Sequence, residues 1–284
     1  MPTQLPVLKT VLLTVLTLIA FAANSLLTRM ALGAESIDAA SFITLRLASG
    51  AFMLWAIALF SNSKPTKQFQ GKWTAALMLF IYAVAFSFAY LQLTAGTGAL
   101  ILFGTVQITM IATAVKQGET PQRLEWIGVG LAIVGLGYLF APGLEAPPIV
   151  AAGLMVIAGV AWGFYSILGR GTKVPIAYTT INFTRAVPFA LGVSLVSMSD
   201  IQISKAGIIL ALLSGAIASG VGYAIWYAAL KGLTGTQAAT VQLAVPILAA
   251  LGGIFFLQEV LTLRLVIASV MILGGIGVTV LGRR

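Results

Sequence analysis

Ten apolar stretches, each about twenty residues long, follow one another along this chain with only short polar breaks between them. A helix needs about 20 such residues to cross a hydrocarbon layer of ~30 Å, and only helices or closed barrels satisfy their backbone there. The stretches are residues 8–31, 39–61, 73–94, 97–115, 124–140, 149–169, 178–198, 206–230, 236–257 and 261–281. The breaks carry turn chemistry, as in "GETPQR", "APGLEAPP" and "GRGTKVP". Composition points the same way. Of 284 residues 60% are hydrophobic and 8% charged, where soluble domains carry about 25% charged residues. A soluble fold of this size buries only about 75% of its surface, so lipid must cover the rest. The expected fold class is an all-α integral membrane protein with ten transmembrane helices.

The residue inventory excludes several functions. Without cysteine or histidine there are no disulfides and no zinc or iron–sulfur sites of the usual kind. Neither GxxxxGK[ST] nor GxGxxG is completed. No cofactor is expected. An enzyme is disfavoured too, since no mid-span acid, histidine or cysteine is available for acid–base or nucleophilic work. The net charge of +9 is scattered singly, which argues for membrane topology and against a nucleic-acid partner. Lys9 and Ala20-Phe21-Ala22 mimic a signal peptide with its cleavage site. A counterpart of this segment later in the chain argues for a retained span.

Lysine and arginine sort by side. Lys9, Lys64, Lys67, Lys72, Lys116, Arg123, Arg170, Lys173, Lys231, Arg283 and Arg284 fall on the side of the termini, and Arg29, Lys205 and Arg264 on the other. Eleven against three places both termini in the cytoplasm of a bacterial-type inner membrane.

The halves also repeat. "SLLTR" (25–29) matches "SILGR" (166–170) at offset 141, and "SFITLR" (41–46) matches "TINFTR" (180–185) at offset 139. Tyr90 matches Tyr227 at offset 137, and "QGE" (117–119) matches "LQE" (257–259) at offset 140. The units are residues 1–146 and 147–284. Each holds five spans, an odd number, so the second enters the membrane upside down. Such inverted repeats suit alternating access.

Polar and aromatic groups at mid-span are the informative ones. Tyr82, Phe86 and Tyr90 share one helix face at i, i+4 and i+8. Offset 137 pairs them with Ser219, Tyr223 and Tyr227, beside Trp226. Asn24, Gln107, Trp162, Asn182 and Gln242 add neutral contacts at depth. The candidate substrate site is therefore Asn24, Tyr82, Phe86, Tyr90, Gln107, Trp162, Tyr223, Trp226 and Gln242. Each has a purely structural reading as packing or interhelical glue. Together they describe an apolar, aromatic pocket suited to a small, partly apolar organic molecule. Arg46 and its twin Arg185 sit about two turns, ~10 Å, inside their helix starts. They are either snorkelling anchors, able to pair with a loop acid such as Asp38, or groups lining opposite mouths of a pathway as gate or carboxylate attractor, and at this depth neither is placed to be the central ligand alone. Pro188, Pro246 and glycines near Gly220 and Gly252 would permit bending at a gate, with Pro246 counted among the gate residues.

The segment 245–278, with Pro246, Glu259 and Gly274/Gly275/Gly277, resembles the end of an EamA-type repeat: proline opens its fourth helix and glutamate closes it, before a glycine-rich fifth. The first half ends alike with Glu119 and Gly128/Gly130/Gly135/Gly137, but carries Gln107 in place of the proline. "VAWGFYSILGR" (160–170) is similar to the family's Trp-Gly first helix, where the first half has "FAANSLLTR". The resemblance implies the drug/metabolite transporter superfamily: ten helices as two inverted repeats, termini inside, four helices of each half around a cavity with the fifth outside, and export of small metabolites. Within it the chain resembles the YddG-type aromatic amino-acid exporters. The expectation is a secondary transporter in a lipid bilayer, monomer or weak homodimer, exporting amino acids by alternating access. All seven acids lie in loops or at helix ends, so movement down a gradient is expected and proton antiport is not. The alternative is a passive channel for small neutral solutes.

Overall fold

The computed structural model describes residues 7–61, 73–118, 122–143, 145–169, 172–233, 238 and 241–281. Every expected stretch is helical. The helices are α1 (Val7–Gly33), α2 (Ala39–Phe60), α3 (Trp73–Tyr90), α4 (Ala95–Lys116), α5 (Arg123–Phe140), α6 (Ile149–Gly169), α7 (Pro175–Val196), α8 (Lys205–Gly232), α9 (Ala244–Leu257) and α10 (Leu263–Leu281). Eight of them are long and apolar enough to cross a membrane; α9 is shorter, and α7 is not in that group. Thr179, Thr180, Asn182, Thr184 and Arg185 lower the hydropathy of α7. The chain is a multi-pass membrane protein. Among the described residues there is no strand, only an isolated antiparallel bridge, Ile37 to Ile203.

Side-chain caps set several boundaries. Asp38 accepts from Ser41 N at 2.8 Å to start α2, and Thr94 accepts from Thr97 N at 3.3 Å to start α4. Gln122 and Glu125 form a capping box at α5. Pro175 opens α7, where a missing N–H costs nothing. Helix α7 continues through Pro188. Helix α8 changes winding: Leu213–Val221 is π-helical between two α-helical flanks. The ninth stretch was expected from residue 236; Ala238, Val241 and Gln242 are helical, a turn at Leu243 follows and α9 runs on from Ala244, while residues 234–237, 239 and 240 lie outside the described residues.

The packing pairs have a pattern. α2 packs on α7, α4 on α9, and α5 on α10. α3 packs on α6 as α8 does on α1, α4 on α6 as α9 does on α1, and α3 on α7 as α8 does on α2. Exchanging each helix for the one five places away leaves this set unchanged. Helices α5 and α10 pack mainly on each other and touch the rest through α4. Their crossing is close because a Cβ on Gly128 would meet the Gly275 carbonyl and Thr279. Thr279 Oγ1 donates to Glu125 O at 3.3 Å across the same crossing.

One end of the bundle is tied across the halves. Asp38 N donates to Gln202 O at 2.7 Å, and Ser204 N to Ser36 O at 2.9 Å. Gln202 N donates to the Asp38 carboxylate at 3.2 Å, and Gln202 Nε2 to Glu35 O at 2.8 Å. Asp38 thus serves the α2 start and this tie, and Arg46 is elsewhere.

Candidate functional site

A small cavity lies where the halves meet. Its walls are Phe21, Asn24 and Ser25 from α1, Tyr82 and Phe86 from α3, Leu102 and Phe103 from α4, Trp162 from α6, and Ala218, Ser219 and Tyr223 from α8. The space open to the centre of a water molecule is about 30 Å³, enough for about two waters. Aromatic rings fill the cavity. Trp162 stacks on Tyr223 at 5.5 Å and 20°, and on Tyr165 at 5.2 Å and 27°, and it lies 4.8 Å from Tyr82. Phe21 meets Tyr223 at 5.8 Å.

Offset 141 pairs Phe21 with Trp162 and Asn24 with Tyr165; offset 137 pairs Tyr82 with Ser219 and Phe86 with Tyr223. All of these except Tyr165 line the cavity.

A polar chain runs along one wall. Ser214 Oγ donates to Asn24 Oδ1 at 2.6 Å, and Asn24 Nδ2 donates to Tyr82 OH at 3.4 Å. Arg46 Nη2 donates to the same phenol at 3.2 Å. The Arg46 guanidinium also lies 5.4 Å from the centre of the Tyr82 ring and 4.9 Å from that of Phe86. Arg46 is 2% exposed, and its Nη1 has no hydrogen-bond partner. Among the described residues no carboxylate lies within ion-pair range of it. The snorkelling position and the Asp38 partner expected for this arginine are both absent: its head points into the bundle and is held by aromatic faces. Its twin differs. Arg185 is half-buried and lies over Trp73 at 4.9 Å, an exposed residue at the start of α3.

The other expected site residues divide. Asn24, Tyr82, Phe86, Trp162 and Tyr223 line the cavity. Tyr90 is fully buried one turn beyond Phe86, edge-on to it at 4.7 Å, and its phenol donates to Ala95 O at 3.2 Å. Trp226 touches Phe21 edge-on at 6.0 Å but does not line the cavity. Gln107 is half-buried away from it, and Gln242 Nε2 donates back to Ala238 O at 3.1 Å. Pro246 is buried in the first turn of α9. Six lining residues were not in the candidate site: Phe21, Ser25, Leu102, Phe103, Ala218 and Ser219, the last named only as the partner of Tyr82. Phe21 and Ser25 were within reach, because offset 141 places them opposite Trp162 and Ser166. Leu102, Phe103 and Ala218 carry no signal that separates them from lipid-facing residues.

A clasp of polar contacts joins α1, the end of α3, the start of α4 and the α9–α10 connection. Glu259, in the α9–α10 connection, accepts from Ala95 N with both carboxylate oxygens, at 2.9 and 3.1 Å, at the first residue of α4. It also pairs with Arg29 Nε at 3.4 Å. Arg29 Nη1 donates to Tyr90 O and Leu91 O, each at 3.0 Å. Burial raises the Glu259 carboxyl above its ordinary value, while the Ala95 N–H and the Arg29 charge act against that rise. The sequence counterparts Arg170 and Glu119 lie outside the described residues.

The EamA-like transporter family matches residues 149–281. A Pseudomonas aeruginosa protein described as uncharacterised is 50% identical over 96% of this chain and 94% of its own length. A Salmonella typhimurium protein described as a probable amino-acid metabolite efflux pump is 26% identical over 72% of this chain and 73% of its own. One solved crystal structure shares the fold with a TM-score of 0.64 at 19% identity, over 95% of this chain and 99% of that one.

Proposed function

We propose that this chain, which belongs to the EamA-like transporter family, exports amino acids or related small metabolites across a bacterial inner membrane by alternating access. Ten crossings form two inverted five-helix repeats with both termini inside. The observation that carries this reading is the aromatic cavity at the junction of the halves, walled by residues of both. The invariance of the most extensive packing pairs under a five-helix exchange supports the repeat. The small size of this cavity supports a carrier over an open channel, since a pore would keep a wide continuous path. The efflux-pump description of the Salmonella relative supports the solute class. Movement is driven by the solute's own gradient, because no acid lies among the cavity-lining residues to relay a proton.

The test is reconstitution. Proteoliposomes holding the purified protein should take up labelled phenylalanine, leucine or methionine with saturation and counterflow, and an imposed pH gradient should not change the rate. Flux that never saturates would point to a channel. Strict dependence on the gradient would remove the uncoupled mechanism.

A further inference from the structure

From the unpaired guanidinium behind the Tyr82–Phe86 wall we infer that the transported solute is a monocarboxylate whose carboxylate pairs with Arg46 and whose body is apolar or aromatic. This rests on the export reading above and narrows it, because a free amino group on the solute becomes dispensable. Three observations meet here. Arg46 is 2% exposed and its Nη1 is unpartnered. A guanidinium does not lose its proton in proteins, so this buried cation persists, and leaving it without a counter-ion is costly. The groups around it offer one hydroxyl and two aromatic faces, with no acid among the cavity-lining residues.

A ligand carboxylate supplies what is missing. It can take Nη1 in a charge-assisted hydrogen bond, with the Tyr82 hydroxyl and the Asn24 amide, 3.4 Å apart, as further donors beside it. Solute and site then sum to neutral in a low-dielectric chamber. A zwitterion would bring an ammonium with no acid to receive it, leaving only the faces of Trp162, Tyr223 and Phe86 as a weak cation–π substitute. An amine without a carboxylate would place like charge beside Arg46. The expected order is 3-phenylpropanoate at least as good as phenylalanine, with 2-phenylethylamine far behind. The chamber must open beyond its present volume to admit any of them, as alternating access requires.

The experiment measures binding of these three probes to the detergent-purified protein, by thermal shift and by competition with labelled flux in proteoliposomes. Wild type and Arg46→Gln are compared, with Arg46→Lys as the variant that keeps charge but loses the planar fork. Binding of 3-phenylpropanoate should fall at least tenfold in Arg46→Gln, and less in Arg46→Lys. The ranking of probes on wild type needs no variant and stands if Arg46→Gln misfolds. Equal binding of the amine and the carboxylate would overturn the inference, as would undiminished 3-phenylpropanoate binding by a folded Arg46→Gln. Saturable phenylalanine flux that 3-phenylpropanoate cannot compete with leaves export standing and overturns this inference alone. Absence of flux for every solute overturns both.

Discussion

Replacing Glu259 by alanine should open the bundle at the clasp, and the structure says how far. Alanine removes the acceptor for Ala95 N, a cap whose loss costs about 0.5–2 kcal/mol, and leaves that buried N–H unsatisfied, about 1–3 kcal/mol. The ion pair contributes less. Arg29 is 23% and Glu259 11% exposed on the side chain, and desolvation of the carboxylate is the largest influence on its proton affinity. Arg29 also keeps two carbonyl partners. A shift of about 2 kcal/mol toward the open state follows, roughly 30-fold in the closed-to-open ratio. Glutamine keeps the carbonyl acceptor and avoids burying a charge, so Glu259→Gln should stay within about threefold of wild type. The chain has no cysteine, which makes the assay direct. A Ser25→Cys probe in the cavity wall is labelled in intact cells by a membrane-impermeant thiol reagent, and the initial rate reports the outward-open fraction. The reasoning fails if Glu259→Ala labels no faster than its parent. It also fails if glutamine opens the bundle as far as alanine, since the charge and not the cap would then hold the clasp.

Acidity gives a second readout of the same group. Burial raises the Glu259 carboxyl in the closed state above its ordinary value of 4.5, so the closed state binds the proton more tightly than an open, solvated one. Protons therefore favour closure. External labelling of Ser25→Cys, taken relative to the same probe in Glu259→Gln to remove the thiol's own pH dependence, should slow as pH falls through the raised value. Trp162→Ala should alter which solutes compete for transport, since its ring stacks on Tyr165 and Tyr223 inside the chamber; Tyr90→Ala, outside the lining, should lower the melting temperature while leaving the competition pattern intact. Gly128→Leu should destabilise the protein by about 1–3 kcal/mol through the α5–α10 crossing, read as a lower melting temperature in detergent with cavity selectivity unchanged.

The sequence carried the helices because hydrocarbon thickness sets their length, so apolar runs and charged breaks report them directly. Tyr82, Phe86, Ser219 and Tyr223, which the sequence match sets in pairs, come together around one cavity. The sequence could not orient the helices. A membrane helix is apolar all round, so no stripe separates the lipid face from the core face: Leu102 and Phe103 wall the cavity, while Leu131 and Ile133, of the same chemistry, are exposed. Tyr90 continues the face of Tyr82 and Phe86 but lies one turn too far along the axis. The π-helical winding of α8 was also hidden, because it arises where Gly215 meets the Arg46 carbonyl and Ser49 of α2.

That contact shows where equal halves stop being equal. Gly215 admits the α2 backbone at Arg46, and the same π-helical segment carries Ser214, which bonds Asn24, and the cavity residues Ala218 and Ser219. Its counterpart on the other half is α3, which is α-helical throughout and supplies Tyr82 and Phe86. A regular helix holds the two rings that face Arg46, and a π-helical one, a winding often found at functional sites, carries Ala218 and Ser219. Motion of the site should therefore be uneven, with α8 shifting against α2 while α3 and α6 stay packed. Spin labels on the outer ends of α2 and α8 should show a broader or double distance distribution, narrowed by substrate, where the α3–α6 pair gives one sharp distance. Equal breadth for both pairs would mean that the halves rock as rigid bodies and that the π-helical winding is incidental to transport.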